Sequence, residues 1–329
     1  MNISAILNGF GIGKQPDSIS ELKCGHINST FILNTNDQKM ILQKLNTDVF
    51  KNYNAVMENI ALTERIFQSH PLCGITVPSF YTTDSGKNFV MSDDSIFRLS
   101  TFIQGSVTEN LPFSAGFAFG RFISTIAGEK KIRFQTSTED FHCFSKYFRK
   151  LTVIDREVTF KKLDKSILRR MGNLGETLSS VFEHNLTLRV THNDAKINNI
   201  IFAEAPAVID LDTVMDGYVA FDYGDLIRSL SENNFDINII CQATEGFYCG
   251  LNGLLSEDEI VSLYYGILYV TAELAMRYLI DYSSDSGYFK DKTPSMCLNR
   301  ANELLNLLSN FINYGDDITS IIYKVFEKQ

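Results

Sequence analysis

The run Thr191-His-Asn-Asp-Ala-Lys-Ile-Asn-Asn199, with Val208-Ile-Asp-Leu-Asp212 close behind it, carries the densest chemistry in the 329-residue chain. A base (Asp194), a cation (Lys196), a neutral oxygen donor (Asn199) and an anionic one (Asp210) are what phosphoryl transfer from a nucleotide calls on, because there the protein mainly positions groups and neutralises charge. Asp194 would accept a hydrogen bond from an acceptor hydroxyl and take its proton, while Lys196 would reach the γ-phosphate. Asn199 and Asp210, with Asp212 as a second carboxylate, suit Mg2+, a hard cation that keeps several waters and takes one or two carboxylates beside the phosphates. Asn and Asp are also common in plain turns, and His-x-Asp alone reads equally well as an Asx-turn. The flanks favour the chemical reading: residues 187–190, 200–202 and 207–209 read as short strands whose ends gather the polar groups.

Upstream, Phe31-Ile-Leu33 and Met40-Ile-Leu-Gln-Lys-Leu45 read as an antiparallel hairpin that opens the fold. Asp48 is a candidate cap for a helix over residues 50–68, where Val56, Ile60, Thr63 and Phe67 recur at helical spacing. Further strands are expected at 77–81, 88–91 and 96–103, separated by turn residues such as Asp84-Ser-Gly86. After Gln104-Gly105-Ser106 the periodicity becomes helical: helices are expected over 112–127, 140–151, 167–184, 221–233, 236–250, 256–281, 293–314 and 317–327. The shift divides the chain into a small α+β lobe, residues 1–104, and a larger, mostly helical lobe, residues 105–329. A cleft between two such lobes is a common place for a ligand.

A net charge of −9 argues against broad nucleic-acid binding, which depends on many Lys and Arg contacts to phosphate, and leaves small molecules as the expected partners. Six scattered cysteines form no CxxC pair, and residues 1–14 lack a basic region followed by a long apolar one, so free thiols in a reducing cytoplasm are expected. The apolar stretch 260–280 holds Glu273 and Arg277 at i, i+4 spacing and is read as a buried helix with an internal ion pair, not a membrane span. Gly9-Phe-Gly-Ile-Gly-Lys14 imitates a P-loop but has Asn8 and Gln15 where that motif needs Gly and Ser or Thr. No histidine or cysteine spacing suits structural zinc, and no Gly-x-Ser-x-Gly marks a nucleophile.

His192, Asp194 and Asn199 in His-x-Asp-x-x-x-x-Asn, followed by Ile209-Asp210, resemble the signature of the aminoglycoside phosphotransferase and choline kinase superfamily. Within it, the two site stretches together with Gly224-Asp-Leu-Ile-Arg228, Gly25-His-Ile-Asn28, Ile41-Leu-Gln-Lys44 and Asn299-Arg-Ala301 are similar to the bacterial N-acetylhexosamine 1-kinases, over roughly residues 25–310. The resemblance implies an α+β, bilobal protein-kinase-like fold with a small N-terminal antiparallel-sheet lobe. It implies ATP and Mg2+ as cofactors, Asp194 as base, Asn199 and Asp210 as metal ligands, and a sugar 1-phosphate as product. His192 would orient the catalytic loop through hydrogen bonds, and Asp225 would support that loop or cap a helix.

Where the family presents a Lys or Arg to the phosphates, this chain offers Gln43 and Lys44, and strand alternation lets only one point inward. Lys44 is the expected phosphate contact, with Glu58 and Glu64 as its two candidate helix partners. Without a Gly-x-Gly-x-x-Gly loop, the turn containing Gly25, His26, Asn28 and Ser29 would cover the nucleotide with backbone N–H groups and hydroxyls. Arg228, Arg300 and Tyr288 are the expected sugar contacts. Phe141-His142 resembles the family as well, with no role assigned. The rival expectations are a kinase of another acceptor (an aminoglycoside, choline or a different sugar) and a non-catalytic nucleotide-binding regulator.

Overall fold

Residues 2–22, 27–36, 38–107, 111–129, 131–156, 164–182, 186–284, 289 and 292–327 are described by a computed structural model. The small lobe is a five-stranded antiparallel sheet of β1 (Ser18–Leu22), β2 (Ser29–Asn34), β3 (Lys39–Lys44), β4 (Val90–Ser92) and β5 (Ser95–Thr101), in the order β1-β2-β3-β5-β4. Alternation along β3 decides what each face does. Met40 and Leu42 turn to one side with Phe97 and Leu99 of β5, and Ile6 and Leu7 of the short helix α1 (Ile3–Gly9) close over them as a separate apolar cluster. Ile41 and Gln43 share the opposite face with Ser100 and Arg98, their partners on β5.

The hairpin at residues 31–45 therefore does not open the fold. The sequence reading missed α1 and β1 because α1 is only seven residues long and β1 is almost wholly exposed, so neither carries a long apolar period. The glycines of the P-loop look-alike begin at the C-terminal end of α1, where Gly9 runs against Val90 of β4. Within residues 77–81 only Phe80 forms an isolated bridge, to Ser100, and there is no strand. Helix α2 (Tyr53–Ser69) is capped by the side chain of Asn52, which accepts from the Ala55 N–H, not by Asp48.

The linker out of the sheet passes the second lobe at close range. A Cβ on Gly105 would stand 2.5 Å from the Phe202 carbonyl oxygen, and Ser106 next to it pairs with Phe202 through two backbone hydrogen bonds of 2.9 and 2.7 Å. Beyond it lie α3 (Pro112–Ala127), α4 (Phe144–Arg156), α5 (Lys165–Phe182), α6 (Val219–Ser231), α7 (Ile237–Leu251), α8 (Glu257–Ser284), α9 (Pro294–Asn313) and α10 (Gly315–Phe326). These match the expected helices within a few residues. Helix α8 runs through the middle of the lobe and packs against α4, α5, α6, α9 and α10. No helix among the described residues is long and apolar enough to cross a membrane. Between α5 and α6, two short antiparallel pairs, β6 (Arg189–Thr191) with β9 (Met215–Gly217) and β7 (Ile200–Ile201) with β8 (Ala207–Val208), carry the polar turns.

Candidate active site

Strand β6 delivers the chain into residues 192–199, and β8 delivers it into residues 209–213. The two turns are stapled to each other by main-chain and side-chain bonds. The Thr213 hydroxyl donates to the His192 carbonyl at 2.7 Å, the Asn193 amide to the Thr213 carbonyl at 3.0 Å, and the Ile209 N–H to the Asn199 carbonyl at 2.9 Å. His192 adds a fourth: its Nε2–H donates to the Ile209 carbonyl at 2.9 Å, while Nδ1 accepts from the Asp194 N–H at 3.3 Å. That division of roles requires the neutral ring. Burial between Phe119 and Phe122 holds the imidazole below its ordinary pKa, with the Asp194 carboxylate opposing.

Asn193 and Asp210 both sit in the left-handed region, at φ 62° and 63°. Asn tolerates it well, and the strain is held in place by the bonds around it. Strand β9 crosses so closely that a Cβ on Gly217 would fall 2.3 Å from Asn193 Oδ1. Beneath the first turn, the carboxylate of Asp222 accepts from the His192 and Asn193 N–H groups, both at 2.7 Å. Burial pushes Asp222 up to about 7 in spite of those two donors. The loop support expected of Asp225 therefore falls to Asp222, one turn earlier on α6; Asp225 instead pairs with Arg228, 2.7 Å away.

Asp194 Oδ2 accepts from Lys196 Nζ at 2.5 Å and from Asn199 Nδ2 at 3.0 Å. Burial alone would raise this carboxyl, but the Lys196 ammonium outweighs it and holds the group below its ordinary range, ionised at neutral pH. Lys196 is held above its ordinary range by Asp194 and Asp210 against the pull of burial, so it stays charged. Asp210 makes no hydrogen bond among the described residues, and burial together with the neighbouring Asp212 pushes it up to about 6. The field of Asp194 acts on it too, so the two carboxylates converge on one region.

Two residues, Asn199 and Asp210, have side-chain oxygens to spare for a divalent cation, whereas the expected third, Asp212, has both oxygens committed to Arg98 and Asn28. Asn199 spends its Nδ2 on Asp194, which leaves Oδ1 as its free oxygen, and Asp210 and Asp212 are close enough to repel. Among the described residues no three His, Cys, Asp or Glu side chains form a self-sufficient metal cage. The donors here suit an ion that takes its remaining ligands from water and phosphate, the habit of Mg2+.

On the sheet side the expectation for Lys44 fails. Lys44 lies on the face of β3 turned toward α1, and its side chain is exposed. Gln43 points the other way, donating to Thr30 Oγ1 at 3.1 Å and accepting from Arg98 Nε at 2.9 Å. Arg98, only 2 % exposed, continues that row into an ion pair with Asp212. The cation on the inner face thus comes from β5, and an arginine inside Ile96-Phe-Arg-Leu99 was the available signal, because such residues are almost never buried unpaired. Asn28 joins from the β1–β2 turn, donating to Asp212 Oδ2 at 2.6 Å and accepting from the Asn46 N–H. Ser29 begins β2 and is exposed; Gly25 and His26 lie outside the described residues.

Neither candidate helix glutamate meets Lys44 or Arg98. Glu58 accepts from the Gln135 side chain, and Glu64 accepts from the Phe80 N–H at 3.2 Å. It is Asn59, 1 % exposed, that ties α2 to the end of the 209–213 turn, donating to the Val214 and Gln135 carbonyls at 2.8 Å each. Arg228 and Arg300 are brought together by Glu232 between them, and Arg300 also pairs with Glu303 at 2.9 Å. They form a cluster of three carboxylates and two guanidiniums on α6 and α9, and its Asp225 acts electrostatically on His192 and Lys196. Tyr288 lies outside the described residues. Glu273 turns toward His142, and Arg277 lies over the rings of Tyr147 and Phe289.

An antiparallel sheet lobe joined by a short linker to a helical lobe, with Asp-x-x-x-x-Asn and a left-handed Asp at their junction, defines a protein-kinase-like phosphotransferase fold. The chain belongs to the phosphotransferase enzyme family, whose pattern matches residues 18–240. Its structure is similar to that of an aminoglycoside phosphotransferase from Alicyclobacillus acidocaldarius, at 15% identity and TM-score 0.61 over 98% of this chain and 96% of the other. A choline/ethanolamine kinase family protein from Mesorhizobium loti superposes with TM-score 0.62 at 13% identity, covering 96% and 95%. Spectinomycin phosphotransferase, solved with ADP and spectinomycin, gives TM-score 0.62 at 13% identity, covering 95% and 94%.

Proposed function

We propose that the chain transfers the γ-phosphoryl group of ATP, with Mg2+, to a hydroxyl of a small molecule, and that the acceptor is the anomeric hydroxyl of an N-acetylhexosamine such as N-acetylglucosamine or N-acetylgalactosamine. The observation that carries the transfer reading is the Asp194 carboxylate, ionised and oriented by Lys196 and Asn199 in a turn stapled to the Asp210 turn. Asp194 accepts the hydrogen bond of the acceptor hydroxyl and receives its proton as oxygen bonds to phosphorus. Lys196, held charged, offsets the negative charge on the group in transit. Arg98 presents a second, fixed positive charge from the sheet. Asn199 and Asp210 would hold the divalent cation, which when bound neutralises charge on the nucleotide phosphates, with Asp212 held beside them by Arg98 and Asn28. His192 does not react; its neutral ring fixes the distance between the two turns.

The sugar assignment rests on the resemblance of residues 25–310 to the N-acetylhexosamine 1-kinases. Incubation with ATP, Mg2+ and a panel of N-acetylhexosamines, free sugars, choline and aminoglycosides tests it. ADP release with N-acetylgalactosamine or N-acetylglucosamine, and a product whose phosphorus couples to the anomeric proton by NMR, is expected. Release confined to choline or aminoglycosides would overturn the sugar reading, and nucleotide binding without any product would overturn the catalytic one.

A further inference from the structure

His142 is a buried titratable group with no part in the chemistry above, yet it contacts the residue immediately before the base. Its Nε2 lies 2.8 Å from the Asn193 carbonyl oxygen, and its Nδ1 lies 3.5 Å from Glu273 Oε1. The two side chains are 10% and 3% exposed. Asn193 is thereby gripped on three polar groups: its N–H by Asp222, its side-chain NH2 by the Thr213 and Met215 carbonyls, and its own carbonyl by His142. We propose that His142 and Glu273 form a positioning pair that holds the left-handed Asn193 peptide and so aims Asp194 at the acceptor, with the imidazolium donating from Nε2 to the Asn193 carbonyl while its charge is paired with the Glu273 carboxylate.

The pair is built into the fold, and its parts come from three elements. His142 itself takes φ 53° just ahead of α4, and its carbonyl accepts from the Tyr269 hydroxyl at 2.8 Å, which in turn accepts from the N–H of Phe144 at the start of that helix. Phe141 and Phe221 sandwich the ring at 4.7 and 4.8 Å between centroids. The titratable groups around it are Glu273 and Tyr269 on α8 and Asp222 and Asp225 on α6. His142 Nδ1 and Glu273 Oε2 both lack a hydrogen-bond partner, so the two buried groups are held together by charge at 3.5 Å. Burial pulls the imidazole down, but Glu273, the Asn193 carbonyl and Asp225 together hold it above its ordinary pKa. Only the protonated ring has a hydrogen on both nitrogens. Loss of that proton ends the ion pair with Glu273, and the ring then reaches the Asn193 carbonyl only as the Nε2–H tautomer, without the anchor that fixes it.

This inference rests on the kinase reading for its kinetic consequence but not for its spectroscopic one. In His142→Ala, kcat should fall about tenfold, the scale of one charge-assisted hydrogen bond, while nucleotide affinity stays within about twofold. The wild type should lose turnover on the alkaline side of its pH profile, and that limb should be absent in His142→Gln, whose amide restores the donor to Asn193 and much of kcat without a titrating group. In Glu273→Gln, the His142 ring carbons observed by NMR should titrate at lower pH, and the Asn193 and Asp194 amide resonances should shift with that titration. Because no acceptor is needed for the NMR experiment, failure of the sugar or kinase assignment leaves it intact. His142→Gln and Glu273→Gln carry the test if His142→Ala does not fold. An unchanged kcat and pH profile in a folded His142 variant, or a His142 titration indifferent to Glu273→Gln, would overturn the proposal.

Discussion

In the helical lobe, Asp194 and Asp210 stand sixteen positions apart and are joined by bonds among residues 192–213. In the sheet lobe, the groups that meet Asp212 come from Asn28 and Arg98, which are 184 and 114 positions away. The first half of the site is a local structure, where spacing in the chain dictates spacing in space. The second half depends on strand register, because Arg98 reaches the inner face only by standing opposite Gln43 on β3. A one-residue slip of β5 would put Phe97 or Leu99 there and send the arginine to the α1 side.

The largest effect should come from the local half. Asp194→Asn should cut turnover about 10²- to 10⁴-fold in a coupled ADP-release assay, with nucleotide binding retained. Next come two cations of the sheet, Arg98 and Lys44. Arg98→Gln leaves Asp212 buried without its countercharge, which should cost about 3–5 kcal/mol of stability in denaturant unfolding, and nucleotide affinity should fall about 10- to 100-fold. Arg98→Lys separates the two effects, since it keeps the charge while losing the fork that holds Gln43 and Asp212 together. Lys44→Gln, on the exposed face, should change stability by less than about 0.5 kcal/mol and leave affinity alone. Equal losses at Lys44 and Arg98 would dissolve the distinction between the two faces of β3.

Asp222→Asn should lower kcat about tenfold, because an amide has one acceptor oxygen where the carboxylate serves two N–H donors. A modest effect on stability concerns Asp210 in the absence of divalent cation. Its carboxyl is raised from 3.8 to about 6, so between those values the folded chain binds a proton more tightly than the unfolded chain does. The contribution of this group to stability therefore grows as pH falls from about 6 toward 4, while the ionised form that a cation needs is lost. Asp210→Asn should remove that pH dependence and raise Tm by roughly 2–4 °C at pH 8, read by thermal melting with and without Mg2+.

The helices and the two polar turns were legible in the sequence because their signals are local: apolar periods of 3.6 residues, and Asp and Asn at strand ends. Asp222 was not separable from Asp225, since both lie on α6 and only the approach of the 192–193 peptide distinguishes them. Alternation in β3 correctly allowed one of Gln43 and Lys44 to face inward, but which one depends on α1, whose seven residues cover Met40 and Leu42. With α1 and β1 unseen, the sheet had no assigned outer face, and charge alone favoured the lysine.

The division of labour between the two turns is tested most directly by calorimetric titration of ATP, with and without Mg2+, into the wild type, Asp194→Asn and Asp210→Asn. Asp194→Asn should bind the nucleotide as the wild type does and retain the strengthening by Mg2+, whereas Asp210→Asn should lose that strengthening. The reverse pattern, with Mg2+-dependent binding abolished by Asp194→Asn and untouched by Asp210→Asn, would contradict the account.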